Sequence, residues 1–274
     1  MGINYLKKSK IKIKTNLKKK KTIKKNKIKL GGFKPIPKKI WFYWDKGVDN
    51  IPYVYQMCIK SYRLLNPEWE IIIIDDKNAI KYLNKKAHRL IYSKKKIRQS
   101  HKSDLIRINL INKYGGFWAD ITTICTKCLN DLINYDFVFH SYGNEKKNLL
   151  KISSWSFGAI PKHPFLSKFL INYNNYWKIR DYSDEYFNFH RIFEETGIRF
   201  PIITRGNYKI LDANKAHIIQ KLDLTNNTKE FKDYVDNQLN SMYIYKLLGT
   251  SQGIMELKED NNLKYLLQKL NVLK

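Results

Sequence analysis

The sequence predicts an α/β layered domain built on a mainly parallel sheet, and three observations carry that prediction. Short apolar or aromatic runs alternate with helix-spaced segments through the first hundred residues beyond the N-terminal lysine-rich stretch. One of those runs, EWEIIIIDD, holds four consecutive isoleucines, the pattern of a parallel strand buried on both faces. Three runs end on Trp44-Asp45, on Asp75-Asp76 and on Asp120. Ligands of parallel sheets collect outside the carboxyl ends of the strands, so these three ends are expected to face one crevice.

Taken in order, residues 1–32 carry 13 lysines and no acid. Such a segment repels itself and lacks apolar periodicity, so it reads as a disordered arm. Its scattered Ile and Leu suit peripheral contact with an anionic membrane, although a solvated tail without function fits the same composition. A single folded domain is expected over 33–274. It opens with a buried strand at Lys39 to Trp44. The segment NIPYVYQMCIKSYRLLNP places Val54, Cys58, Tyr62 and Leu65 near helical spacing, and Asn66-Pro67 ends that helix. After the isoleucine strand come a short helix (Ala79 to Leu83) and a lysine-rich connection. A helix from Ser103 to Tyr114 follows, capped by Ser100 or Ser103 and closed by Gly115-Gly116. Phe117 to Thr123, Tyr135 to Ser141 and Ser154 to Ile160 read as strands, and His163 to Ile179 and Asp184 to Thr196 as amphipathic helices. The stretch YVDNQLNSMYIYKLLGTSQG mixes strand and turn signals.

The formal charge of +28 falls to +15 once the first 32 residues are set aside. A surface this basic favours anionic partners such as nucleotide phosphates, acidic glycans, phospholipid headgroups or nucleic acid. The three cysteines, Cys58, Cys125 and Cys128, are too few for a disulfide framework. The Cys125-Thr-Lys-Cys128 pair follows a strand and has no second ligand pair near it, so it reads as two reduced thiols. No run of about 18 apolar residues is present to span a membrane, and the N-terminus lacks the apolar core of a secretory signal. The chain therefore reads as cytoplasmic, with peripheral membrane contact left open.

The segment SDLIRINLINKYGGFWAD concentrates the chemistry. Asp104 and Arg107 are three apart and share a helix face. The Gly115-Gly116 turn then folds the chain back and delivers Asp120 at a strand end. A carboxylate there can hold a divalent cation or accept from a ribose hydroxyl. The bland alternative is a surface Asp104–Arg107 pair worth a few tenths of a kcal/mol, with an aspartate in a turn.

This segment resembles the stretch leading into the aspartate motif of GT-A glycosyltransferases. It is most similar to the capsular polysaccharide synthesis-type, DXD-containing family related to α-mannosyltransferases. PIPKKIWFYWDKG, CIKSYRLLNPEWEIIIIDD, HKSDLIR, YGGFWADITTICTK, WSFGAIPKHPFL and YFNFHRIF follow in the family's order over roughly residues 35–195, with a weaker echo at MYIYKL. The resemblance implies a GT-A, Rossmann-like domain with a helical C-terminal extension. It also implies transfer of a sugar from a nucleoside-diphosphate donor to a glycan or lipid-linked acceptor, with retention.

Carried over residue by residue, Trp44 would stack on the nucleotide base. Asp104 would hydrogen-bond the ribose or sugar, with Arg107 positioning it or meeting a phosphate. Asp120 would be the first acid of the DXD motif, near the metal and diphosphate, and His190 would contact the diphosphate or a sugar hydroxyl. Asp120 and His190 are thus the candidate catalytic residues, and Asp120 the candidate ligand of Mn2+ or Mg2+. The second acid position of the motif is Thr122, which departs from the family pattern and weakens the case for a metal. Asp212 and His217 are candidates for a late metal or phosphate ligand pair.

Two other classes compete. A nucleic-acid-binding protein would explain the charge, but lysine runs without interleaved arginine and aromatic residues give only salt-sensitive, nonspecific binding. A degenerate transferase that only binds nucleotide or glycan would explain Thr122.

Overall fold

The structure is a computed structural model that describes residues 34–143, 151–200, 207–222, 224, 226–247 and 261–273. The expected arm at residues 1–32 lies outside the described residues. The first half of the domain runs β1 (Lys39–Tyr43), α1 (Tyr53–Leu65), β2 (Glu70–Ile74), α2 (Ala79–Tyr82), α3 (Lys85–Tyr92), α4 (Gln99–Tyr114), β3 (Gly116–Ala119) and β4 (Thr123–Cys125). It continues with β5 (Phe137–Ser141), β6 (Ile152–Ala159), α5 (Pro164–Lys178), α6 (Asn188–Arg199) and β7 (Tyr208–Asp212). The last part holds α7 (Ala213–Ala216), α8 (Ile218–Lys221), α9 (Lys229–Gln238), β8 (Ile244–Lys246) and α10 (Asn262–Lys269).

Six strands form one sheet in the order β2-β1-β3-β6-β5-β7, and β4 pairs with β8 in a separate ribbon. Only β6 runs against the others, antiparallel to both β3 and β5. The sheet is therefore mainly parallel and flanked by helices, as the alternation of strands and helices predicts.

The period-two alternation of β1 explains how the layers form. Ile40 and Phe42 point into a core shared with Val54, Cys58 and Tyr62 of α1. Trp41 and Tyr43 point into the opposite core, with Leu105, Ile108 and Ile111 of α4 and the aromatic residues of α5 and α6. Helix α4 is buried along most of its length, from Asp104 through Ile111 without a break. A helix enclosed this fully cannot carry its charges idly.

Several expectations shift. β2 is an edge strand of the sheet, where Ile72 and Ile74 are buried while Ile71 and Ile73 are only half covered. The isoleucine run reflects one packed face and one thinly covered face, not two equal ones. The expected strand over 117–123 is broken at Asp120, with β3 in the large sheet and β4 in the ribbon. The break comes from a turn in which Asp120 O accepts from Thr123 N at 3.0 Å and from Thr123 Oγ1 at 2.7 Å. The lysine-rich connection contains helix α3, started by Asn84, whose side chain accepts from Ala87 N at 2.8 Å. The stretch YVDNQLNSMYIYKLL resolves into the end of α9, a turn of 3-10 helix over Leu239–Ser241 and strand β8. With α10, this gives the helical C-terminal part.

Candidate functional site

A pocket of about 830 Å³ opens at the carboxyl ends of β1 and β3. Tyr43, Trp44 and Asp45 line it from the end of β1. Gln99, Ser103, Asp104 and Arg107 enter from the first turns of α4, and Asp120 to Thr122 from the turn after β3. Because β6 is reversed, it is its N-terminal half that reaches this edge, contributing Ile152 to Trp155. Tyr186, Phe187, His190 and Arg191 close one side from α6 and the loop before it, and Lys246 comes from β8.

Arg107 is the hub. Its NH1 donates to Ser154 O at 2.6 Å and lies 3.1 Å from Asp104 Oδ1. Its NH2 donates to Ser103 Oγ at 2.9 Å and lies 3.2 Å from Asp120 Oδ1. The guanidinium also sits over the Trp118 ring, 5.1 Å from its centroid. The Asp104 and Arg107 side chains are 8% and 5% exposed, so this is a buried network and not a surface pair. The surface-pair alternative falls on that point.

Asp120 is held from both sides. Trp118 Nε1 donates to Oδ1 at 3.0 Å, beside Arg107, and the Lys246 ammonium donates to Oδ2 at 3.0 Å and to Thr122 Oγ1 at 2.7 Å. Burial alone would raise the Asp120 carboxyl. Lys246 and Arg107 outweigh burial and hold it below the usual carboxylate range. Asp104 goes the other way: burial outweighs Arg107 and pushes it up to about 6, with Asp120 adding to the rise.

His190 is mostly buried, and burial first, then Arg107, lowers it to about 4, so its imidazole is neutral near pH 7. Four buried polar atoms on the pocket lining have no hydrogen-bond partner among the described residues: Arg107 Nε, Ser153 Oγ, Trp155 Nε1 and His190 Nδ1. They come from α4, β6 and α6, and buried polar groups left without a partner around a pocket mark positions where a polar ligand or water would complete their hydrogen bonding. Trp44 is half-buried, with its indole N–H donating to Asn50 O at 3.1 Å and its ring edge-on to Tyr55.

The structure thus brings Trp44, Asp104, Arg107, Asp120 and His190 to one pocket. It does not bring Asp75 and Asp76 there. Asp75 accepts from the backbone of Val48, Lys77 and Asn78, while Asp76 takes the Tyr43 and Tyr92 hydroxyls and the Lys102 ammonium. Asp212 caps α7, accepting from Asn214 N and Lys215 N, and does not line the pocket. His217 also lies off the lining, stacked on Tyr142 and edge-on to Trp155, two residues that do line it. Cys58, Cys125 and Cys128 are free thiols, with Cys58 and Cys125 pushed up to about 12 by burial.

Lys246 is the site residue that sequence reasoning missed. Its signal was present in MYIYKL, where one lysine interrupts an aromatic and aliphatic strand. Only the pairing of β8 with β4 shows that this lysine sits across from Thr123 and beside Asp120.

The donor set around Asp120 does not suit a divalent cation as arranged. Such an ion takes about six oxygen ligands, usually with one or two carboxylates free to bind it. Here both oxygens of Asp120 are engaged by cationic side chains, and Asp104 faces Arg107. Among the described residues, no group of three His, Cys, Asp or Glu is placed to hold a metal.

The chain is 26% identical over 114 residues to the glycosyltransferase afumC of Aspergillus fumigatus, covering 36% of this chain and 29% of that protein. It is 28% identical over 135 residues to the uncharacterized glycosyltransferase L373 of Acanthamoeba polyphaga mimivirus, covering 47% of this chain and 52% of that one. The chain therefore spans between about a third and a half of the length of these relatives. Among solved structures, the glycosyltransferase GlyE of Streptococcus pneumoniae TIGR4 matches with a TM-score of 0.47 and 12% identity over 86% of this chain and 60% of that one. A likeness that distant carries no argument about chemistry. The family profile described as capsular polysaccharide synthesis protein matches residues 3–260, taking in every pocket-lining residue named above, and on that match the chain belongs to the capsular polysaccharide synthesis protein family.

Proposed function

We propose that this protein is a GT-A-type glycosyltransferase that moves a sugar from a nucleoside-diphosphate donor to a hydroxyl of a carbohydrate acceptor, with retention of anomeric configuration. The observation that carries the reading is the pocket itself. An aromatic face at Trp44, a buried Asp104–Arg107–Asp120 network and neutral His190 meet at the carboxyl end of a mainly parallel sheet.

In this reading Trp44 presents an apolar face to the base. Asp104, its carboxyl raised by burial, accepts from a ribose or sugar hydroxyl, with Arg107 fixing its position. His190, neutral and on the pocket lining, meets a sugar hydroxyl or a diphosphate oxygen. The bond from the anomeric carbon to the diphosphate oxygen breaks, and its electron pair stays with the nucleoside diphosphate. The acceptor oxygen bonds that carbon and its proton passes to the departing diphosphate. Asp104 and Asp120 are both committed to cationic partners, so neither is a ready nucleophile. With the retention that the family resemblance implies, and no carboxylate free to form a covalent intermediate, the acceptor attacks from the face the diphosphate leaves.

Exposed Phe187 and Tyr186 on the rim offer apolar faces to an acceptor sugar ring, in a glycan or a lipid-linked saccharide. The lysines of residues 1–32 fit contact with an anionic membrane. Salt-sensitive binding to phosphatidylserine vesicles, lost when those residues are removed, would support that contact, and binding unchanged by the removal would refute it.

The direct test is thermal stability against a panel of nucleotide-sugars, for the wild type and for Asp120→Ala. The expected result is a donor-specific rise in the unfolding midpoint that is lost in the variant. No response of the wild type to any donor would sink the reading and favour the nucleic-acid or glycan-binding alternatives.

A further inference from the structure

Strand β8 lies antiparallel to β4 with Lys246 opposite Thr123, which places its ammonium beside the aspartate motif. The Lys246 side chain is only 10% exposed. A buried lysine needs partners, and this one has Asp120 Oδ2 at 3.0 Å and Thr122 Oγ1 at 2.7 Å. An ammonium has three N–H donors, so among the described residues one remains to point into the pocket that Lys246 lines.

The position of this charge explains the departure at residue 122. An acid there would put two carboxylates side by side and build a cation site. Threonine instead supplies a neutral acceptor, which holds the ammonium without cancelling its charge. The opposite oxygen of Asp120 is taken by Arg107 and Trp118, so the carboxylate is locked in the orientation that braces Lys246. A divalent cation approaching Oδ2 would have to displace this ammonium against like-charge repulsion.

We infer that Lys246 does the work a divalent cation does in metal-dependent transferases: its ammonium, braced by Asp120 and Thr122, binds the donor's diphosphate and stabilises the charge left there when the sugar departs. The inference rests on the nucleotide-sugar reading above. The electron pair of the breaking bond stays on the diphosphate, and Lys246 remains protonated throughout, acting as a fixed positive charge rather than a proton donor. Asp120 is then a positioning residue, acting through Lys246.

The test is titration calorimetry of the full chain with UDP-, GDP- and CDP-linked sugars and the matching free nucleosides, once in EDTA and once in Mn2+. Wild type is compared with Lys246→Met, which keeps a long unbranched stem without the charge, and with Lys246→Arg. The expected result is wild-type affinity equal in EDTA and Mn2+ and roughly tenfold or greater loss of nucleotide-sugar affinity in Lys246→Met, the size of a lost charge-assisted hydrogen bond. Nucleoside affinity should stay unchanged in that variant, and Lys246→Arg should retain most of the nucleotide-sugar affinity.

Wild-type binding that disappears in EDTA and returns with Mn2+ would overturn the inference and leave the transferase reading standing. So would nucleotide-sugar binding by folded Lys246→Met at wild-type strength. If Lys246→Met does not fold, the wild-type comparison in EDTA and Mn2+ decides alone. Absence of binding to every donor in both conditions would remove the transferase reading and this inference together.

Discussion

Arg107 shows how one side chain can organise a site. It serves two carboxylates, a carbonyl and a hydroxyl from three segments, its own helix α4, the turn after β3 and strand β6, and it does so almost out of contact with water. A planar fork with five donors meets that geometry, whereas an ammonium on a flexible stem does not. Arg107→Lys is therefore expected to destabilise the fold by about 2–4 kcal/mol, somewhat less than the ~3–5 kcal/mol for removing a buried charge outright, because lysine keeps the charge but loses the bidentate geometry. Urea unfolding of the two proteins checks this, and a change below about 1 kcal/mol would show that the network contributes little. The spacing of Asp104 and Arg107 was legible in the sequence, as was the strand-end position of Asp120. Their burial was not, because an i, i+3 pair looks the same on a solvated helix face as on an enclosed one.

At the scale of elements, the joint between α4 and β3 sets the position of Asp120. Gly115 and Gly116 both have positive φ, at 68° and 91°. A Cβ on Gly116 would stand 2.5 Å from Lys39 O, and one on Gly115 would stand 2.8 Å from Ala159 O. Both contacts are to backbone of neighbouring strands, so nothing flexible can move aside. Gly116→Ala is expected to cost more than about 2 kcal/mol from strain and clash together and to shift β3 against β1. A fall in the thermal midpoint with loss of nucleotide-sugar binding is the expected observation, and an unchanged midpoint would refute the argument. This joint was readable in the sequence as a glycine turn following a helix. The two-stranded ribbon of β4 and β8 was not, because its halves are more than a hundred residues apart and each is only three residues long. Short strands carry too little periodicity to identify themselves, and nothing local says which partner they choose.

Across the whole molecule, burial of histidine makes the fold sensitive to acid. His140 and His163 are each lowered to about 4, first by burial, and His190 likewise. In the unfolded chain a histidine titrates near 6.5. The unfolded state therefore binds more protons than the native state between about pH 6.5 and 4, and stability present above that window is lost as the pH falls through it. Asp120, held low by Lys246 and Arg107 against its burial, loses its contribution in the same direction at still lower pH. Asp104, raised to about 6, works the other way and offsets part of the loss. The thermal midpoint is expected to drop by several degrees between pH 7 and 4.5, and His140→Gln should flatten that slope. A midpoint constant over the interval, or a slope unchanged in the variant, would contradict the account.

The sequence by itself determined the layered α/β class, the order of strands and helices through α6 apart from α3 and the split between β3 and β4, and the clustering of Asp104, Arg107 and Asp120, while Trp44 and His190 entered only through the family resemblance. The class, the order and the Asp104–Arg107–Asp120 clustering are written in local pattern: alternation for strands, helical spacing for α1 and α4, and paired glycines where the chain must turn with positive φ. Tertiary structure alone decided that the Asp104–Arg107 pair is buried, that Asp75 and Asp76 serve a loop and a tyrosine cluster instead of the pocket, and that Lys246 meets Asp120. The physical reason is common to all three. The charge on a side chain is visible in one dimension, but whether it faces water, a backbone amide or an opposite charge is settled only when segments distant in sequence are packed together.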